Sequence, residues 1–189
     1  MLTTKVDFPV SDFARFLNCG PTVLAVAQYN GPPNIITLAW VTPVSHRPPL
    51  IVASVSPRRF SHDLIVNAGE LTLNIPPWER LAEVAFCGRV SGRNADKFAE
   101  CAFTPVPSVT IAPPGIGECL VTLECAVQDH RPVGDHTLFT LLVRRLVADP
   151  TAAEERFGLG AGLPTTIHHL GGNLYAPLGG PSREPEAQK

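Results

Sequence analysis

The sequence predicts a mainly β protein, an antiparallel barrel or sandwich with a few short helices. Three observations carry that expectation. Twenty prolines in 189 residues, about twice the usual share of roughly 5%, cut the chain into short segments. Six or seven of those segments are β-branched, apolar runs bounded by turn residues. The connections between them are too short and irregular for a doubly wound βαβ sheet.

The strands follow in order. Thr22 to Tyr29 is apolar and β-branched, and Asn30-Gly31-Pro32-Pro33 supplies turn chemistry before Asn34 to Val41 resumes the pattern, so the pair reads as a hairpin. Leu50 to Val55 is a third run, entered through His46-Arg47-Pro48-Pro49. In Leu71 to Ile75, strand alternation puts Leu71, Leu73 and Ile75 on one face and Thr72 and Asn74 on the other. Cys119 to Val127 likewise presents Cys119, Val121, Leu123, Cys125 and Val127 on one face. Thr137 to Ala148 is a long strand whose Arg144 and Arg145 must reach solvent or a partner. Helices fit between these runs. Phe60, Leu64, Ile65 and Ala68 recur at helical spacing, with Ser61 as N-cap and Gly69 closing the segment. Pro77 opens a second helix through Trp78, Leu81, Ala82 and Ala85, and Asn94 to Cys101 is a short third. The proline-rich stretch from Pro105 to Gly117 reads as a loop with one short strand inside. One domain over 1–180 and a frayed tail over 181–189 are expected.

Composition narrows the function. The chain is 44% hydrophobic and 17% charged, with a net charge of −2; it is not a disordered polyampholyte. No apolar run approaches the roughly 20 residues that span a bilayer, and no Lys/Arg block offers a field for nucleic acid. The N-terminal stretch lacks a basic region followed by an apolar one, so no secretory leader is expected. Five cysteines without a C-x2-C pair argue for reduced thiols, several of them buried, in a cytoplasmic protein, and against a zinc site. Scarce charge raises the expectation that a subunit interface hides part of the surface. Dinucleotide, P-loop and nucleophile-elbow fingerprints are all absent.

Three segments carry chemistry. In Asn34 to Trp40, alternation gives a small polar face (Ile35, Thr37, Ala39) along which a planar ligand could lie, and a bulky one (Ile36, Leu38, Trp40). On this segment alone an ordinary strand with a water-facing threonine is sufficient. Ser54-Val55-Ser56-Pro57-Arg58-Arg59-Phe60-Ser61 joins a strand end to a helix start. It sets two guanidinium groups and three hydroxyls where unpaired N–H groups also favour an anion, or else a solvated Arg pair beside a serine cap. In Cys87 to Phe98, Gly88 and Gly92 flank Ser91 ahead of a helix, with Lys97 in its first turn. Such a loop lets backbone N–H groups approach a phosphate, with the lysine as point charge; a plain helix-capping loop is the alternative. Two anion-friendly segments in a charge-poor chain suggest one shared phosphate. Among the histidines, His136 enters a strand where it could face a pocket. His168 and His169 point opposite ways on a strand, so solvent and core contacts are expected rather than a metal. His62 beside Asp63 reads as helix polarity, and Glu118 and Glu124 do not make an acid/base pair.

Taken in order, GPTVLAV from Gly20, NIITLAW from Asn34, PPLIVASVSPRRFSHDLI from Pro48, GELTLNIP from Gly69, CGRVSGRNADKF from Cys87, GECLVTLEC from Gly117, GDHTLF from Gly134 and GGNLY from Gly171 resemble the flavin reductase-like family of FMN-binding split barrels, most of all its flavoredoxin branch. The resemblance implies a Greek-key antiparallel split barrel and a homodimer with one FMN per subunit near the interface. It implies that Asn34, Thr37, Ala39 and Trp40 lie along the flavin ring and ribityl chain, with Val55 and Phe60 beside them. It gives the phosphate to Ser54, Arg59, Ser61, Ser91, Gly92 and Lys97, and places His136, as the catalytic candidate, near nicotinamide or flavin. The family often has glycine where Thr140 follows Leu138-Phe139. The activity implied is flavin reduction by NADH or NADPH as co-substrate, with an electron-accepting protein or oxygenase as possible partner. The alternatives are a non-catalytic FMN electron carrier and a flavin- or haem-binding module. No metal is expected.

Overall fold

The computed structural model describes residues 20–150 and 165–178; the expected tail, the N-terminal stretch and Cys19 lie outside them. Eleven strands are present among the described residues: β1 (Val23–Ala27), β2 (Asn34–Leu38), β3 (Val41–His46), β4 (Pro49–Val55), β5 (Glu70–Ile75), β6 (Pro105–Val106), β7 (Gly115–Ile116), β8 (Val121–Val133), β9 (His136–Ala148), β10 (Ile167–Gly171) and β11 (Leu174–Pro177). Three α-helices join them: α1 (Phe60–Ala68), α2 (Leu81–Arg89, after a 3-10 turn at Trp78–Arg80) and α3 (Lys97–Glu100).

Seven strands form one antiparallel sheet in the order β2-β1-β5-β8-β9-β4-β3. Non-consecutive neighbours such as β1 with β5 and β4 with β9 are the signature of a Greek key. The two end strands, β2 and β3, are consecutive in the chain, so the sheet curls until its ends meet through residues 39–40. Among the described residues no ladder joins these two ends; Ser54 N donating to Trp40 O at 3.0 Å extends the β3–β4 pairing by one residue into the bend. The result is a split barrel, and the split is where a ligand can enter.

β1 shows why these runs are so apolar. Val23, Ala25 and Ala27 face the barrel interior with Ile36, Leu38, Leu71, Leu73, Cys125, Phe139 and Leu141. Leu24 and Val26 face outward, into a second core with Ile35, Val84, Cys87, Phe98 and Ile167 beneath α2 and α3. A strand covered on both faces has no solvent side to alternate with. Burying a leucine as fully as Leu24 contributes about 2 kcal/mol.

Several expectations are corrected. Ser61 is not an N-cap: α1 begins at Phe60 with Arg59 in the cap position, and Ser61 is buried in the first turn. Gly69 does end the helix, at φ +67°, which favours glycine. The strand through Asn34 stops at Leu38, because Ala39 and Trp40 bend the chain into β3, an exposed edge strand that apolar content did not reveal. Cys119 precedes β8 and packs on the outer core instead of continuing the Val121 face. β8 runs on to Val133, where Pro132 is harmless beside the turn to β9. The third helix is confined to residues 97–100, and Asp96 caps it by accepting from Phe98 N and Ala99 N.

Candidate functional site

The split holds a cleft of about 970 Å³. Its walls are Ile36 to Leu38 of β2, the bend at Ala39 and Trp40, Ser54 and Val55 at the end of β4, and the turn through Arg58 and Arg59. Ser56, His136, His169 to Gly172 and Leu174 complete it. A smaller compartment of about 80 Å³ opens beside it, bounded by Asn34, Arg58 to Ser61, Cys87 to Gly92 and Lys97. Ile36, Arg58 and Arg59 line both, so the two form one groove with a wide part and a narrow part.

The narrow part is built from three segments far apart in sequence. Asn34, at the start of β2, is buried and donates from Nδ2 to Ser61 Oγ at 2.6 Å. Gly92 presses against it: a Cβ there would collide with the Asn34 amide, so a larger residue would have to displace that side chain. Lys97 is only 4% exposed. Its Nζ donates to Ile35 O at 2.7 Å and Cys87 O at 2.8 Å. Those acceptors are neutral, and among the described residues no carboxylate pairs with it. Burial therefore pushes the ammonium below its usual range, and the positive charge of Arg59 pushes the same way. Ser91 accepts from Arg93 N in its own turn, while Phe60 lies under the Arg93 guanidinium at 4.8 Å.

The wide part is differently made. Trp40, 40% exposed, meets the His136 ring at a centroid distance of 5.0 Å. His136 Nδ1 lies 2.8 Å from Asp135 Oδ1; a carboxylate only accepts, so Nδ1 carries the proton and the other ring nitrogen is left for the cleft. Gly134 and Asp135 form the two-residue turn that delivers His136, with Gly134 at φ +60°. Thr37 lines the cleft, but its hydroxyl donates to Val84 O at 2.6 Å and so ties β2 to α2. The expectation of a hydroxyl offered along the strand is thus corrected: its partner is a helix carbonyl.

All thirteen residues singled out in the sequence for this site line the groove. Arg58, Arg89, His169, Leu170, Gly172 and Leu174 join them unforeseen as site residues. Arg58 was visible in the double arginine and residues 171–175 in the GGNLY run. His169 was not, because its strand reaches the cleft only through tertiary packing. His62 has an unexpected link: its Nε2 lies 2.9 Å from Thr137 Oγ1 and its Nδ1 3.2 Å from Asp63. Glu118 accepts from Thr104 N and Oγ1, and Glu124 is held by a network remote from the groove. Cys87, Cys101, Cys119 and Cys125 are free thiols. Burial pushes those of Cys87 and Cys125 up to about 12. No metal-binding cluster occurs among the described residues.

A model of the flavin reductase-like domain matches residues 15–169. The chain belongs to that family. A relative from Archaeoglobus fulgidus, itself uncharacterized, is 37% identical over 107 residues, 57% of this chain and 60% of its own length. The match thus spans less than two thirds of that relative. Among solved structures, an FMN-binding protein from Thermus thermophilus with bound p-hydroxybenzaldehyde superposes with a TM-score of 0.82 at 23% identity, covering 98% of this chain and 100% of that one. The flavoredoxin of Desulfovibrio vulgaris (Miyazaki F) gives 0.76 at 24%, over 88% and 91%. The flavin reductase-like split barrel of this chain is therefore shared across its length.

Proposed function

We propose that this member of the flavin reductase-like family binds FMN in the groove and works as an NAD(P)H-dependent flavin reductase. One observation carries the reading: among the described residues the groove is lined by Arg58, Arg59, Arg89 and Lys97 and by no carboxylate. In a chain with net charge −2 that is a local reversal of sign, and it suits a dianion. The narrow part has room for one phosphate, and the buried Lys97 ammonium lacks the counter-charge a phosphate brings.

The residues present fit FMN. Lys97, Arg59 and Ser61, with the backbone beside Gly92, would hold the phosphate. The bend at Ala39 and Trp40 and the small side chain of Ser54 leave a flat path for the ring. When bound, FMN supplies the hydride-accepting chemistry, and the absence of a protein nucleophile is then expected. His136, steadied by Asp135, keeps a ring nitrogen toward the open part of the cleft, where it can accept from or donate to a co-substrate. At about 970 Å³ the cleft stands at the top of the roughly 300–1,000 Å³ range of ligand pockets, which leaves room for a nicotinamide beside the flavin.

Apolar Trp40, Leu170 and Leu174 are exposed around the cleft mouth, which supports a homodimer that closes it. No helix among the described residues is long and apolar enough to cross a membrane. A cytoplasmic reductase handing electrons to an oxygenase or another electron-accepting protein is the setting proposed. Anaerobic mixing of the FMN-loaded protein with NADH and NADPH tests the activity: bleaching of the flavin band with either is expected. Flavin that stays oxidised with both would leave the electron-carrier reading. Protein that takes up no FMN would remove both. Sedimentation at increasing concentration tests the dimer.

A further inference from the structure

The narrow part of the groove has two walls that come from different parts of the chain. One is the turn and helix start from Arg58 to Ser61; the other is the end of α2 and the loop after it, Cys87 to Gly92. Gly92 lies against the Asn34 amide, but it has no side chain with which to hold that contact. The next residue crosses between the walls. The Arg93 guanidinium carbon stands 4.8 Å from the centre of the Phe60 ring, and its Nη2 lies 3.9 Å from Asp63 Oδ2. Both partners belong to the first turn of α1. A turn fixes the base of the arginine: Arg93 N donates to Ser91 Oγ at 3.3 Å and Asn94 N to Ser91 O at 3.0 Å.

The two contacts are unequal. Arg93 and Asp63 are both more than half exposed, so their ion pair is worth little. Phe60 is the firmer anchor, because it packs against the barrel core and a guanidinium this close to an aromatic centre is attracted by the ring's quadrupole. We propose that Arg93 is a positioning residue of the phosphate compartment: through Phe60 it holds the loop wall against α1 and so sets how long a phosphate stays between them. The inference rests on the FMN reading above and deepens it, adding a residue that does not itself line the narrow part. When this contact opens, the loop moves off α1, while Lys97 is still held by Ile35 O and Cys87 O. A phosphate then escapes faster but arrives at the same rate. A charge acting on the phosphate from a distance would do the reverse, because steering governs arrival.

The test uses the parent, Arg93→Ala, Phe60→Leu and the double variant, all as apoprotein. Amide hydrogen exchange over residues 88–94 is read without flavin, and stopped-flow quenching of flavin fluorescence gives association and dissociation rates for FMN and riboflavin. In Arg93→Ala the loop amides should exchange about fourfold faster, the scale of an exposed cation–π contact. FMN should dissociate faster by about the same factor with its association rate unchanged, and riboflavin, which lacks the phosphate, should change less. Phe60→Leu should also speed both processes, and adding Arg93→Ala to it should cost nothing more, because the two changes remove one contact. Unchanged exchange in Arg93→Ala would overturn the proposal. So would strictly additive effects in the double variant, and so would a loss confined to FMN association that disappears in about 0.5 M salt, the mark of a screened, distant charge. A parent that binds no FMN strikes the underlying reading instead; the exchange rates still decide whether Arg93 holds the loop.

Discussion

Lys97 and Glu124 are both charged, both at most 4% exposed, and they sit in opposite kinds of surroundings. Glu124, on β8, is saturated. Its oxygens accept from Val109 N at 3.0 Å, Thr110 N at 2.7 Å, Thr110 Oγ1 at 2.6 Å and Arg145 Nη1 at 2.8 Å. Burial alone would raise its carboxyl, but these donors outweigh it and hold the group down at about 2. Lys97 has two backbone carbonyls and, among the described residues, no anion. One charge clamps the loop through Val109 and Thr110 onto the barrel; the other is left electrically incomplete beside a cavity. A buried charge with all its partners inside the chain serves the fold. One whose counter-charge is missing is available to a ligand, and the cost of burying it is recovered on binding.

The largest effect that could break this comparison is Glu124→Gln. The amide keeps the shape but turns one acceptor into a donor facing Thr110 or Arg145, so stability should fall by about 3 kcal/mol in urea unfolding. FMN affinity should not move; a loss there would mean that the two regions are coupled. Next is Lys97→Met. FMN should bind about 30-fold more weakly, roughly 2 kcal/mol, while riboflavin, which has no phosphate, should hardly change. The stability of the apoprotein should shift by no more than about 1 kcal/mol, because removing a buried charge offsets the two carbonyls left without a donor. Equal losses of FMN and riboflavin would show that the phosphate lies elsewhere.

Smaller still is Gly92→Ala. Its Cβ displaces Asn34 and with it the bond to Ser61, so FMN affinity should fall about tenfold; an unchanged affinity would show that Asn34 does not shape the narrow part. The mildest test is pH. For Glu124 the folded value of about 2 lies below its ordinary 4.5, so its stabilisation is complete above pH 4.5 and is lost as pH falls through about 2. The stability gap between the parent and Glu124→Gln should close over that window. Lys97 is displaced the other way round in function. Its pKa is lowered from 10.5, so phosphate-dependent FMN affinity should decline at alkaline pH before an ordinary lysine titrates. In Lys97→Met that alkaline decline should vanish.

Much of this was legible in the chain because its signals are local. Strand periodicity and proline spacing marked the hairpin of β1 and β2, β4, β5 and β9, since alternation and turn chemistry are properties of adjacent residues. β3 escaped because an exposed edge strand buries little and has no apolar stripe to announce it. The two anion segments were readable as residue types, arginine and serine before a helix and glycine-rich turns before Lys97. The pairing of Glu124 with Arg145 was present only as two charges in otherwise apolar runs, and strand register is what sets them opposite each other.

What sequence could not hold is direction. It put Thr37 on a small face, and packing turned its hydroxyl to Val84 of α2. It named Arg58 and Arg59 as a pair, and the turn set both at the junction of the wide and narrow parts of one groove. It could supply the lysine but not its burial, which depends on β2, α2 and α3 closing around it. Local pattern decides which residues become strands, because that choice is made among neighbours a few positions apart. An uncompensated buried charge, a cleft in a barrel seam or a histidine brought in from β10 exists only once distant segments are packed, and it is those that give this barrel its groove.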